Sequence, residues 1–191
     1  MIIGITGGTG CGKTTLLSVL KESGCVVLDC DAIYHRLLET DASLLQSINA
    51  RFPNTVKDGI LQRKALGNLV FSDPDALKAL NEITHAAVKQ EVIRCLTPPP
   101  ALAAIDAIAL FESELDQLCH ITVAVTAPES SRVARIMARD AVCQEYALAR
   151  IHAQPSNEAF SEKCDYTLEN NSSQEAFRSK CLAFLQQLAI I

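Results

Sequence analysis

The sequence predicts an α/β fold: a mostly parallel five-stranded sheet flanked by helices, with a helical insertion and a helical lid. Three observations lead there. Apolar runs of strand length at residues 1–6, 25–29, 101–106, 121–125 and 166–168 are separated by amphipathic segments, and strands that alternate with helices pair in parallel. The first run leads directly into Gly7-Gly8-Thr9-Gly10-Cys11-Gly12-Lys13-Thr14, which fits G-x-x-x-x-G-K-[ST], the phosphate-cradling P-loop, in its required place between a strand and a helix. Residues 32–100, between the second and third strands, are helical in pattern and far longer than a single crossover requires.

The elements follow in order. Residues 1–6 form a buried strand. In the segment after it, glycines let backbone N–H groups turn toward phosphate oxygens, and the helix that follows adds partial positive charge at its N-terminus. Lys13 is placed to reach the β- and γ-phosphates, and the Thr14 hydroxyl to ligate Mg²⁺. The expected nucleotide-binding set is Gly8, Thr9, Gly10, Cys11, Gly12, Lys13, Thr14 and Thr15. Residues 15–21 read as a helix, Gly24 ends its turn, and 25–29 form a short buried parallel strand. Amphipathic helices are expected at 32–39 and 42–52, before Pro53-Asn54 breaks the chain. A polar turn at Lys57-Asp58-Gly59 leads to a helix at 62–70. Ser72-Asp73-Pro74-Asp75 combines a capping residue, an early proline and an early acid, a helix-start signal. It opens a helix through 76–81, and a further helix at 84–96 is stopped by Pro98-Pro99-Pro100. A strand resumes at 101–106 and another at 121–125. Pro128 opens a helix through Asp140, and a second at 145–153 is stopped by Pro155. Residues 166–168 form the last strand, and 174–188 a closing amphipathic helix. The resulting expectation is a P-loop NTPase-type nucleotide-binding core at 1–31, 101–127 and 157–191, an inserted acceptor-binding subdomain at 32–100, and a lid at 128–156.

Composition narrows the function classes. A chain of 191 residues with 49% hydrophobic and 20% charged residues is one domain, or one domain with insertions, long enough to bury a core. A net charge of −5 argues against non-specific nucleic-acid binding, which needs a basic face, without forbidding a local basic pocket for a phosphorylated ligand. The eight cysteines contain no C-x-x-C pair, so zinc-ribbon and thioredoxin-like chemistry lack support. The apolar start has no basic leader, and the longest apolar stretch is interrupted by Asp106, so neither a signal peptide nor a membrane span is expected. The expectation is a reduced, cytoplasmic protein, a monomer or weak homo-oligomer, with no nucleic-acid or membrane partner. Cys11, beside Lys13 and a helix N-terminus, is either a low-pKa oxidisable thiol or an occupant of a free motif position.

Further residues carry chemistry. Asp29-Cys30-Asp31 closes the second strand, and ligands of parallel sheets bind at the carboxyl ends of strands. Residues two apart in a strand share a face. One carboxylate can then take a proton from an acceptor hydroxyl while the other assists Mg²⁺ or orients the first; alternatively, either caps the next helix. Asp106, ending a hydrophobic strand, stands in the usual position for holding Mg²⁺ directly or through water. Glu112 either binds substrate or joins a solvated helix face. Arg132, Arg135 and Arg139 recur at spacings of three and four and share roughly one helix face. From a closing lid, such a face can stabilise charge on a moving phosphoryl group; Arg139 is favoured for that role, then Arg135. The histidines show no metal-binding spacing, and His35 and His85 fall in the insertion. No guanine-reading [NT]-K-x-D segment is present, which argues against a GTP-binding switch.

This ordered set resembles the dephospho-CoA kinase family. The resemblance runs from the first strand to the last helix. It is carried by Ile5-Thr6 with the P-loop, by Asp29 to His35, which is similar to the family's D-x-D-x-I-x-[HR] signature, and by Leu61 to Leu66 with Phe71. Asp106 to Glu112, Arg135 to Asp140, Arg150 to Gln154 and Cys164 to Asn171 also match. Ala86 and Ile108 depart from it, standing where the family has proline. The resemblance implies ATP-dependent phosphorylation of the ribose 3′-hydroxyl of dephospho-CoA with Mg²⁺, the final step of coenzyme A synthesis. It implies Asp31 as the base, phosphate contacts from Lys13, Thr14 and Arg139, acceptor contacts from Asp29, Arg63 and His85, and adenine packing near Asn170 and Asn171.

Overall fold

A computed structural model describes residues 1–190. The chain divides into two compact units, Met1–Leu28 together with the chain from Pro100 onward, and Asp29–Pro99. It runs β1 (Ile2–Thr6), α1 (Lys13–Glu22), β2 (Val26–Asp29), α2 (Cys30–Thr40), α3 (Ala42–Arg51), two short strands β3 (Val56–Lys57) and β4 (Ile60–Leu61), α4 (Arg63–Val70) and α5 (Pro74–Cys95). It continues with β5 (Ala103–Asp106), β6 (Ile121–Thr126), α6 (Glu129–Asp140), α7 (Gln144–His152), α8 (Asn157–Lys163), β7 (Tyr166–Glu169) and α9 (Gln174–Gln187). Among the described residues, no helix is long and apolar enough to cross a membrane.

In the first unit the expected five-stranded parallel sheet is present, in the order β2-β5-β1-β6-β7. Ile3 pairs with Ala104 on one side and Ile121 on the other, and Val125 pairs with Leu168. Strands of a parallel sheet are covered on both faces and need apolar side chains in both directions. That is why β1 and β6 read as continuous apolar runs: Ile3, Ile5, Val123 and Val125 are at most 1% exposed. Leu16 and Leu20 of α1 and Phe177 and Leu185 of α9 join them in one buried cluster. A smaller cluster of Val133, Ile136, Ala147 and Ile151 holds α6 to α7.

Asp165 ties β7 to β6. Its Oδ2 accepts from Thr122 N (2.7 Å) and Thr122 Oγ1 (2.8 Å), while its own N–H donates to Thr122 Oγ1. These bonds favour the carboxylate and hold its pKa below the ordinary 3.8. A depressed folded-state pKa gives stability that is present above the ordinary value and lost as pH falls through the folded one. Asp165→Ala is therefore expected to lower the melting temperature at pH 7 by more than at pH 2.5. An equal loss at both values, by thermal denaturation, would refute this.

The second unit is helical except for one hairpin. Asp29, Asp41 and Asp73 cap α2, α3 and α5, each accepting from backbone N–H groups of the first turn, as short acidic side chains do at that position. Leu37, Leu44, Ile48, Leu80, Val88 and Val92 are buried. Arg36 of α2 and Arg94 of α5 both bond Glu91. They hold its carboxyl down to about 2.

Four sequence expectations are corrected. The two helices expected at 76–81 and 84–96 are one, α5, because Asn81 to Ile83 contains no breaker and Ala86 keeps the N–H that a proline would lack. The polar turn at Lys57–Gly59 belongs to a hairpin with positive φ at Asp58 (51°) and Gly59 (74°), the backbone of a primed Asp-Gly turn. Helix α8 fills a stretch given no element. Asp31 lies in the first turn of α2, not on the strand, because Asp29 accepts from Ala32 N (3.0 Å) and starts the helix at Cys30. The argument from strand alternation therefore does not apply to the Asp29–Asp31 pair.

Candidate nucleotide-phosphate site

The first unit carries the loop between β1 and α1. Gly12 has φ 100°, and a Cβ there would stand 2.2 Å from Asn170 Nδ2, so only glycine fits in both conformation and space. Helix α1 then begins at Lys13 with no side-chain cap and no acid in its first turn. The Thr15 N–H closes onto Gly12 O (3.0 Å), and an uncapped helix start of this kind favours an anion at the N–H groups ahead of it.

The outward carbonyls of the loop are taken by side chains. Thr9 O accepts from Arg132 Nε (2.9 Å), Gly10 O from Arg135 Nη1 (3.0 Å), and Cys11 O from Asn170 Nδ2 (2.8 Å) and Arg135 Nη1 (3.3 Å). In a trans peptide the C=O of one residue and the N–H of the next point in opposite directions. Fixing these three carbonyls on the outside turns the Gly10, Cys11 and Gly12 N–H groups toward the other side. Successive amides so arranged make an anion-binding concavity, although the Cys11 N–H also closes a turn onto Gly8 O at 3.2 Å.

Lys13 Nζ donates to Gly7 O (2.7 Å) and lies 4.0 Å from Asp106 Oδ1 at the end of β5. The side chains of both are largely buried, 13% and 16% exposed. The segment after Asp106 is anchored to β1 without a proline, since Thr6 Oγ1 donates to Ile108 O (3.1 Å). Thr14, in the first turn of α1, is exposed, and Thr15 is half-buried. Asn170 is buried and also accepts from Arg135 Nη2 (3.2 Å). Asn171 is exposed and, with Thr126, Pro128, Asn157 and Glu169, lines an open cavity of about 520 Å³ at the ends of β6 and β7.

Other expected site residues are engaged elsewhere. Arg139 pairs with Asp140 through two bonds (2.7 and 2.9 Å), and Arg150 joins the same carboxylate at 2.6 Å. Glu112 pairs with Lys163 (2.9 Å). Cys11 is buried, and its thiol is pushed up by burial, which outweighs the opposing charges of Arg132 and Lys13. The low-pKa alternative therefore falls, because a reactive thiol needs exposure as well as nearby charge.

In the second unit, Asp29 caps α2, and Asp31 is exposed in its first turn. Arg63 is exposed at the start of α4, and His85 is half-buried on α5. The Arg63 charge opposes the rise that burial gives the Tyr34 hydroxyl.

Two residues of the loop's surroundings escaped the sequence reading of the site. Spacing puts Arg132 on the arginine face of its helix but favours Arg139 and Arg135 for the phosphates, and Gln154 enters only through the family resemblance. Gln154 Oε1 accepts from Thr9 N (2.8 Å) and its Nε2 donates to Thr9 Oγ1 (2.8 Å).

The family model for dephospho-CoA kinase matches residues 1–176. A curated dephospho-CoA kinase of Thermus thermophilus is 38% identical over 189 residues, covering 98% of this chain and 92% of that one. The crystal structure of TT1252 from Thermus thermophilus superposes with a TM-score of 0.81 at 38% identity, covering 98% and 97% of the two chains. Dephospho-CoA kinase from Campylobacter jejuni superposes with a TM-score of 0.68 at 26% identity, covering 98% and 96%.

Proposed function

The chain belongs to the dephospho-CoA kinase family, and from that premise we propose how its residues divide the work. The reaction moves the γ-phosphoryl group of ATP to the ribose 3′-hydroxyl of dephospho-CoA, giving coenzyme A and ADP, the final step of coenzyme A synthesis. The observation that carries the assignment of roles is the loop itself, with its carbonyls fixed outward and Lys13 beside Asp106.

Phosphoryl transfer spreads charge over oxygens and asks the protein mainly for positioning and electrostatic stabilisation. The amides of Gly10, Gly12 and Lys13 bind phosphate oxygens, and Lys13 neutralises charge between the β- and γ-phosphates. Arg139 exchanges its Asp140 partner for phosphate as α6 and α7 act as a lid. Asn171 contacts the adenine. The inserted helices carry the acceptor through Arg63 and His85, and Asp31 takes the proton from the attacking hydroxyl, with Asp29 supporting the turn it stands on. A reducing compartment, the cytoplasm, suits eight thiols that form no disulfide. We take the working form to be a monomer or weak homo-oligomer.

Mg²⁺ fits this site. Among the described residues, no group of three His, Cys, Asp or Glu side chains could cage a metal. Mg²⁺ instead favours a few hard oxygens plus substrate phosphates, and Thr14 and Asp106 offer a hydroxyl and a carboxylate. The ion would supply charge neutralisation to the phosphates. Asp106→Asn is expected to raise the Mg²⁺ concentration for half-maximal turnover by about tenfold or more, read by titration at fixed ATP. An unchanged requirement would remove Asp106 from the metal.

A further inference from the structure

Arg132 differs from the other arginines of α6 by its burial, at 3% exposed. Its Nε bonds Thr9 O (2.9 Å) and its Nη2 bonds Gln154 Oε1 (3.2 Å). Both acceptors are uncharged oxygens. A guanidinium withdrawn from water is costly unless an opposing charge answers it. The phosphate loop lies directly against this one: a Cβ on Gly8 would stand 2.1 Å from Arg132 Nη2, and a Cβ on Gly10 would stand 2.9 Å from Arg132 O.

We infer that Arg132, held by Gln154, is a positioning residue of the kinase: it fixes the Thr9 peptide so that the loop's amides face the nucleotide, and its buried charge is answered by the bound phosphates. This rests on reading Gly7–Thr14 as the nucleotide-phosphate loop. Gln154 and Arg132 together occupy every polar group of Thr9. The Thr9 N–H and hydroxyl go to the carboxamide, and the carbonyl goes to the guanidinium. Thr9 is therefore an anchor, and its N–H is directed to Gln154 and not to a ligand. Because the Thr9 carbonyl is held outward, the Gly10 N–H is turned the other way. Arg132 acts through this peptide and does not touch substrate. The same contacts tie the loop to α6 and to the turn after α7.

Three variants test the inference: Arg132→Met, Arg132→Lys and Gln154→Glu. Each is measured for melting temperature, MgATP affinity by calorimetry, and KM for each substrate. Arg132→Met removes charge and both bonds, and is expected to weaken MgATP binding by about a hundredfold, the effect of small misplacement in a preorganised site. The KM for dephospho-CoA is expected to stay within a few fold. Arg132→Lys keeps the charge without the two-pronged grip and is expected to fall between. Gln154→Glu gives the guanidinium a carboxylate and removes the donor to Thr9 Oγ1. A role confined to fold stability predicts an equal or higher melting temperature and undiminished ATP affinity. The inference predicts an unchanged or higher melting temperature with ATP affinity reduced about tenfold, because one charge near the phosphates is cancelled. Should Arg132→Met fail to fold, the other two variants carry the test. Wild-type ATP affinity in the folded variants, or equal changes in both KM values, would overturn the inference. Failure of the wild type to bind ATP would overturn the reading of the loop beneath it.

Discussion

Asp31→Asn is expected to lower turnover by about 10²–10⁴, the usual worth of a positioned base, while ATP affinity stays within a few fold. The acceptor hydroxyl must lose its proton as it attacks phosphorus, and an amide of the same shape cannot take it. The substitution should leave the fold intact. Asp31 is exposed in the first turn of α2, and the cap of that helix comes from Asp29, so its loss removes no buried partner. Melting temperature and ATP affinity near wild type, with turnover collapsed, would place the defect in the chemical step. Near-wild-type turnover would take Asp31 out of the reaction.

Lys13→Met is expected to cost about 10²–10³ in turnover, comparable to removing one preorganised donor to a charged transition state, and to weaken MgATP binding as well. Methionine keeps much of the apolar stem that leaves Lys13 only 13% exposed, and it removes the ammonium. Unlike Asp31→Asn, this change should alter nucleotide binding and turnover together, because Lys13 meets charge in both the ground and transition states. Unaltered ATP affinity and turnover in a folded Lys13→Met protein would show that the ammonium serves only Gly7 O and Asp106.

How far the sequence could be read depended on whether the signal was local. The P-loop was legible because glycine spacing, Lys13 and Thr14 sit between a strand and a helix within a few residues. The inner sheet strands β1, β5 and β6 were legible because a sheet covered on both faces leaves largely apolar runs, as at Ala103 to Ile105, whereas the edge strands β2 and β7 are partly exposed. Helix α8, Asn157–Lys163, left no periodic signal because Phe160 is its one buried residue. The strands β3 and β4 have two residues each, too few for alternation to appear. Asp31 was read as extended because the strand reading was carried past Asp29, whose side chain in fact turns the chain into α2.

The arginine face shows the harder limit. Spacings of three and four place Arg132, Arg135 and Arg139 together on a helix, but they do not say which of the three turns onto the loop. In the structure the first is buried against Thr9, the second bonds Gly10 and Cys11, and the third pairs with Asp140. That choice is made by packing. Val133 and Ile136 fix the rotation of α6 against α7, and Gln154, far along the chain, completes the grip on Thr9. Only a tertiary arrangement brings Thr9, Arg132 and Gln154 together.

The most direct test is ADP formation by the purified protein with MgATP, with and without dephospho-CoA, with the product identified by mass spectrometry and the phosphorylated position by phosphorus NMR. The account predicts strong stimulation by dephospho-CoA and a product one phosphate heavier, substituted at the ribose 3′-oxygen. A folded protein that binds ATP but shows no stimulation, or that phosphorylates another position, would contradict it.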